Sequence, residues 1–350
     1  MLFKQTKSRF VSRLFAIVIS SVLVYAQAPV GWHDPSPHKV QFIRVQENVL
    51  LEVLDWGGAG RPLVLLAGAG CTAHIFDDLA PKLMSMGHVY GITRRGFGAS
   101  GRPAMVRDYK QERLAQDVLD VIRALHLQSP VLIGHSMAGG EMATLADQNS
   151  DLLGGLVFLD AAGDPRDWPA GDPAYMALFN ELPEKARAHA EAGDADLKSF
   201  AVYQAWQAQN GVAFPESELR NTRETNPDGS VGKYTLTPGA WDAIGQGAIK
   251  RQYGRISVPI LAFFTGPGGK AKYEPQNEDE RAAMTAFDDA TGAYVERLKK
   301  NLQTAPGGVH IVEVPSLDHY FFLSNEADVL RELRSFLASL DQPAHAAITK

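Results

Sequence analysis

The chain has 350 residues, 45% of them apolar and 21% charged, so a packed core is within reach and wholesale disorder is excluded. Its 34 Lys and Arg stand against 40 Asp and Glu, a net charge of -6, and no basic block follows the first fifteen residues, which argues against nucleic acid as a partner. A single cysteine, Cys71, excludes an internal disulfide framework and any cysteine-rich zinc or iron–sulfur site.

The N-terminus reads as an address. Lys4, Lys7, Arg9 and Arg13 precede the apolar run Leu14–Ala26, about 13 positions and the proportions of a secretory signal, whereas a spanning helix wants about 20. Cleavage after Ala26 is expected, with export to a periplasmic or extracellular location and no stable membrane partner afterwards. The alternative left open is an uncleaved anchor. Residues 27–38 form a leader rich in Pro and small polar residues.

Apolar runs then alternate with helical patterns. Val40–Val45 and Val49–Trp56 read as a hairpin, and Pro62–Ala67 as a strand buried on both faces. A helix is expected over Ala73–Met86, a strand over His88–Thr93, a helix over Gln111–Leu127, a strand over Pro130–Ile133, a helix over Ala138–Asp147 and a strand over Gly155–Leu159. Residues 164–255 break this rhythm with several Pro and Gly and helical stretches such as Glu184–Gln209. Val258–Phe264 resumes the strand pattern. A helix over Glu278–Leu302, a strand over Val309–Val314 and a helix over Glu326–Leu340, with Ser324 or Asn325 as N-cap, close the chain. Such alternation implies an α/β fold, a mostly parallel central sheet with helices on both faces.

The sharpest chemical signal is Val131–Gly140, with Ser136 at a tight turn between a buried strand and a helix. That turn strains the serine backbone and lifts its hydroxyl to the sheet's C-terminal edge. Ala138 stands where the strict G-x-S-x-G pattern has glycine, and Gly139 follows. A serine hydroxyl needs a base. His319 is the candidate, on the loop after the last strand; His74, His135 and His310 read as packing or hydrogen-bonding residues. The carboxylate that orients the imidazole is expected to be Asp160, at the tip of Gly155–Leu159. Glu274 and Asp318 are the competitors, and Glu141 faces the site from the next helix with its role open. The backbone amides of Met137 and Ala69 are the expected oxyanion donors. Cys71 has no histidine to activate it and reads as a small buried residue. The histidines are scattered, without an H-x-x-x-H or Cys pair, so no metal set and no cofactor is expected. Gly96–Gly101 lacks a P-loop lysine and reads as a turn.

At these residues the chain resembles the α/β-hydrolase superfamily, in the branch built like esterases, haloalkane dehalogenases and epoxide hydrolases. The likeness covers about residues 45–165 and 255–340 and rests on Leu63–Gly68, Arg95–Ser100, Gly134–Gly139, Val157–Asp160 and Asp318-His319. It implies Ser136 as nucleophile, His319 as base and Asp160 as the acid after the sixth strand, as in some members. Ala67 replaces a common His, Thr93-Arg94 replaces an Asp-containing turn, and the usual acid position after the seventh strand is empty. Serine at the elbow argues against dehalogenase and epoxide-hydrolase chemistry, which need a carboxylate nucleophile. The resemblance divides the chain into a signal (1–26), a hydrolase core (27–163 and 256–350) and a helical lid (164–255). Trp168, Tyr175, Phe179, Phe200, Tyr203, Trp206 and Phe214 are its aromatic candidates for a pocket, with Trp168, Tyr203 and Trp206 expected against substrate. The resulting expectation is an exported serine hydrolase of a small carboxylic ester. Amide, lactone or carbon–carbon bond hydrolysis on the same residues, and a binding module that has lost turnover, are the alternatives.

Overall fold

Runs of apolar residues bounded by turns form the strands of this protein, and their alternation decides which face each side chain enters. The computed structural model describes residues 32–163, 172–187, 190–265, 273–314 and 318–340. The signal-like segment and Trp168 lie outside them. β1 (Lys39–Gln46) and β2 (Val49–Gly57) pair antiparallel, as a hairpin. β3 (Pro62–Leu66) leads into a 3-10 turn at Ala73–Phe76 and a one-turn helix α1 (Ala80–Leu83). One helix over 73–86 does not form: Pro81 has no N–H to give and its ring would strike the carbonyl four residues back.

β4 (His88–Ile92), α2 (Gln111–Ala124), β5 (Val131–His135), α3 (Ala138–Asn149) and β6 (Gly155–Leu159) follow in the expected order. Between β6 and the next strand of the main sheet come α4 (Pro173–Glu181), α5 (Glu184–Arg187), α6 (Phe200–Asn210) and α7 (Glu216–Thr222). A small hairpin, β7 (Arg223–Thr225) and β8 (Val231–Tyr234), and α8 (Ala240–Gln246) complete the insertion. The expected helical stretch Glu184–Gln209 is therefore two helices; Asp196 turns the chain by accepting from the Gly193 N–H, and Ser199 caps α6. β9 (Ile260–Thr265), α9 (Glu278–Leu302), β10 (Val309–Val314), α10 (Phe321–Ser324) and α11 (Glu326–Leu340) end the fold.

Among the described residues the main sheet has eight strands in the order β1-β2-β4-β3-β5-β6-β9-β10, with the β1–β2 and β2–β4 pairs antiparallel and every other pair parallel. Alternate residues feed two cores. Val64, Leu66, Leu132, Leu156 and Phe158 pack with α2, α3 and α9 on one face; Leu63, Leu65, Val131, Ile133 and Val157 pack with α1 and α11 on the other. The chain leaves β3 for β4 on one side and returns to β5 on the other. That switch point, where ligands settle in open parallel sheets, is where Gly68 and Ser136 meet.

Candidate active site

Ser136 follows β5 directly and has φ 53°, a left-handed backbone that L-residues adopt rarely. Its N–H donates to the Leu159 carbonyl at 3.2 Å, and its own carbonyl accepts from Gly139 N–H as α3 begins. These bonds on both sides hold the strained residue in place, half-buried among buried neighbours. The hydroxyl makes no hydrogen bond to a described residue. Gly139 explains how the turn tolerates Ala138. A Cβ at 139 would come within 1.8 Å of the Ala161 carbonyl oxygen, so the close approach of α3 is made there and not at 138.

Asp160 caps the neighbouring strand with φ 48°, the same strained region. Its Oδ2 lies 2.7 Å from His319 Nδ1 and accepts from Thr265 Oγ1 at 3.1 Å. Of the rival acids, Asp318 Oδ1 accepts from the Tyr320 N–H at 2.9 Å, and Glu274 is exposed. His319 leaves 45% of its side chain accessible, open to a reactant. Its backbone is held from beneath. His135 is fully buried, and desolvation, helped by the nearby His319, pushes its pKa well below the usual histidine range. A neutral ring whose Nε2 faces the His319 carbonyl at 3.0 Å must carry its proton there and donate it. The two rings lie 4.4 Å apart.

The loop after β3 approaches the serine closely. A Cβ at Gly68 would reach 2.5 Å from His135 Nδ1 and 3.2 Å from Ser136 Cβ. Arg94 fixes this loop by donating to the Ala67 and Gly68 carbonyls at 2.9 and 3.3 Å, and its Nε donates to buried Glu141. In a trans peptide the N–H opposes the carbonyl, so with Gly68 O turned to Arg94 the Ala69 N–H faces the other way. Neither that N–H nor Met137 N–H has an acceptor among the described residues. Glu141 thus acquires a place: burial raises its pKa, the Arg94 charge opposes the rise, and the pair sits under the loop. Burial also raises the Cys71 thiol well above its usual range, which keeps it protonated.

The insertion meets the site differently from the sequence expectation. Tyr203 is buried and its hydroxyl accepts from Arg223 at 2.9 Å; Trp206 stacks on it, and Phe200, Leu219 and Val231 complete that cluster. Both residues expected against substrate pack in the insertion's own cluster, Tyr203 buried and Trp206 half-buried. Tyr175 and Phe179 pack on Phe287 of α9. Phe214 does reach the site wall, with its ring 4.7 Å from Tyr320. Trp241, absent from the sequence list, borders the loop, 3.9 Å from where a Gly70 Cβ would sit, and is half-exposed on α8. Its neighbours Ala240, Ala243 and Ile244 pack against Met137. Glu218 of α7 was also missed; it accepts the Thr72 N–H and hydroxyl, and burial pushes its pKa up to about 7.

A family model described as the alpha/beta hydrolase fold matches residues 61–265. The chain belongs to the alpha/beta hydrolase family. Over 284 residues this hydrolase is 26% identical to 2-(acetamidomethylene)succinate hydrolase of Mesorhizobium japonicum, covering 80% of the chain and 89% of the relative. Another relative is matched only locally: the AB hydrolase superfamily protein YisY of Bacillus subtilis is 36% identical over 123 residues, 35% of this chain and 45% of that one. An esterase from Exiguobacterium antarcticum shares the fold, with a TM-score of 0.53 at 18% identity over 86% of this chain and all of its own.

Proposed function

We propose that this alpha/beta hydrolase is an exported serine hydrolase that cleaves a small carboxylic ester through an acyl-enzyme. The observation that carries the reading is the Asp160–His319 contact at 2.7 Å beside a serine with φ 53° at the neighbouring strand tip. In this reading His319 Nε2 takes the hydroxyl proton as Ser136 Oγ attacks the acyl carbon. Asp160 accepts the Nδ1–H and balances the imidazolium. The Ala69 and Met137 amides receive the oxyanion, each typically responsible for about 10²–10³ in rate. The imidazolium then protonates the leaving alkoxide. Water, deprotonated by the same ring, releases the acid and restores Ser136. Phe214 and Trp241 border the entrance, apolar surfaces suited to an acyl or alcohol group.

The test is a panel of p-nitrophenyl esters of graded acyl length, with matched anilides, on the processed protein and on Ser136→Ala. Ester turnover that the variant loses supports the reading; turnover the variant retains refutes it. Amide hydrolysis is a second reading, favoured by the relative whose name carries an acetamido group and which aligns over 89% of its length. Preference for the anilides would favour it. Export is tested by N-terminal sequencing of the processed chain, expected to begin at Gln27.

A further inference from the structure

Away from the serine, on the side of the loop that carries the 3-10 turn, two histidines and two aspartates converge. Asp34 and His38 come from the leader, and His74 and Asp77 from the turn Ala73–Phe76 and its C-cap. One ligand atom from each lies within 4.8 Å of the others. His38, His74 and Asp77 side chains are 3–5% exposed and Asp34 is 21% exposed. We propose that these four residues form a structural binding site for a divalent cation of the zinc type, which staples the leader to the loop behind the oxyanion donors.

The donor set is the first argument. Two imidazoles and two carboxylates are borderline N₂O₂ ligands, the composition suited to tetrahedral zinc, and the two carboxylates neutralise a doubly charged ion with neutral histidines. Spacing is the second. His74 Nδ1 lies 2.9 Å from Asp77 Oδ2 and 3.5 Å from Asp34 Oδ2; His38 lies 3.0 Å from Asp77 Oδ1 through Nδ1 and 3.8 Å from Asp34 Oδ2 through Nε2. Tetrahedral bonds of about 2.0–2.1 Å put neighbouring ligands ~3.3 Å apart, between the two His74 distances; His38 meets the two carboxylates through different nitrogens, so its ring must turn to present one of them to an ion within the 4.8 Å set. The longer two are poor as direct hydrogen bonds. The third argument is the surrounding shell. The other ring nitrogen of His74 faces buried Glu52 at 3.8 Å, and Ser217 Oγ donates to Asp77 Oδ2. A donor behind a ligating aspartate is the support such ligands use, and the Glu52 carboxylate, beyond direct hydrogen-bond reach, adds negative charge behind His74.

The location gives the site its consequence. Thr72 caps the 3-10 turn and is held by Glu218, and Ser217 is the next residue of α7. An ion here ties together the leader, the loop of Ala69 and the insertion, adding to the hydrogen bonds and to the stacking of Arg220 on Trp32 that already join them.

The experiment uses the processed protein, stripped with a strong chelator and titrated with zinc or cobalt(II). We expect one ion per chain by elemental analysis, a rise of several degrees in Tm with zinc, and the visible absorption of tetrahedral cobalt(II). Asp34→Asn and His38→Gln, melting close to the stripped parent, should lose both the ion and the Tm rise. A stripped protein that takes up no zinc, or a Tm rise that survives in both variants, overturns the site. Stabilisation by calcium or magnesium without the cobalt spectrum also overturns it, because it assigns hard oxygen ligands instead.

Discussion

Asp160 and Asp318 separate by their partners. One carboxylate contacts His319 Nδ1; the other accepts a backbone N–H in its own turn. Asp160→Asn should therefore lower kcat by about 10³–10⁴, since it favours the wrong imidazole tautomer, while Asp318→Asn should stay within about tenfold. Steady-state kinetics on one ester decides it, and the reverse order would move the acid. Arg94 and Glu141 form a buried ion pair under the loop. Glu141→Ala leaves Arg94 uncompensated and should cost about 3–5 kcal/mol in urea unfolding, whereas the apolar double replacement Arg94→Met with Glu141→Leu should recover most of it. Neither partner of that pair stood out as a pair in the sequence, because 46 intervening residues fold back before the contact exists. The same holds for His74 and His38, whose separation conceals their shared aspartates.

At the scale of elements, strands were legible and the insertion was not. β3, β5, β6 and β9 are buried on both faces, so their apolar runs leave a continuous signal. α9, β10 and α11 take the expected bounds, long periodic or apolar segments, with Asn277 capping α9 by accepting from the Glu280 N–H. β7 and β8 escaped notice because they are short, polar and half-exposed around the turn at Asn226–Gly229. Tyr203 and Trp206 illustrate a related ambiguity: an aromatic stripe serves a local core as readily as a pocket, and here Arg223 lies over Tyr203 within the insertion's cluster. Glycine at the elbow follows contact rather than pattern. Gly139→Ala should cost several kcal/mol by driving α3 from Ala161, while Ala138→Gly should cost only about 1 kcal/mol of helix propensity. Thermal melts of both variants check the contrast, and equal losses would contradict it.

For the whole molecule, the sheet brings Gly68, Ser136 and Asp160 to the tips of three adjacent strands, and the insertion reaches that edge through Glu218. Burial of the Glu218 carboxyl, against the pull of its Thr72 hydrogen bonds, makes stability pH-dependent. Glu218 titrates near 4.5 when exposed and at about 7 in the fold, chiefly through burial. Between those values the folded chain keeps a proton the unfolded chain has released, so this group's contribution falls as pH rises from about 4.5 to about 7 and is flat above. Glu218→Gln should remove a fall on the order of 1–3 kcal/mol between about pH 4.5 and about pH 7 in urea unfolding. An unchanged slope would place the titration elsewhere. The central claim, a hydroxyl made reactive by His319, meets its most direct test in mass spectrometry of the processed protein after treatment with a fluorophosphonate. The account predicts one adduct per chain on the peptide containing Ser136, absent in Ser136→Ala and strongly slowed in His319→Gln. No adduct, or an adduct on another residue, would contradict it.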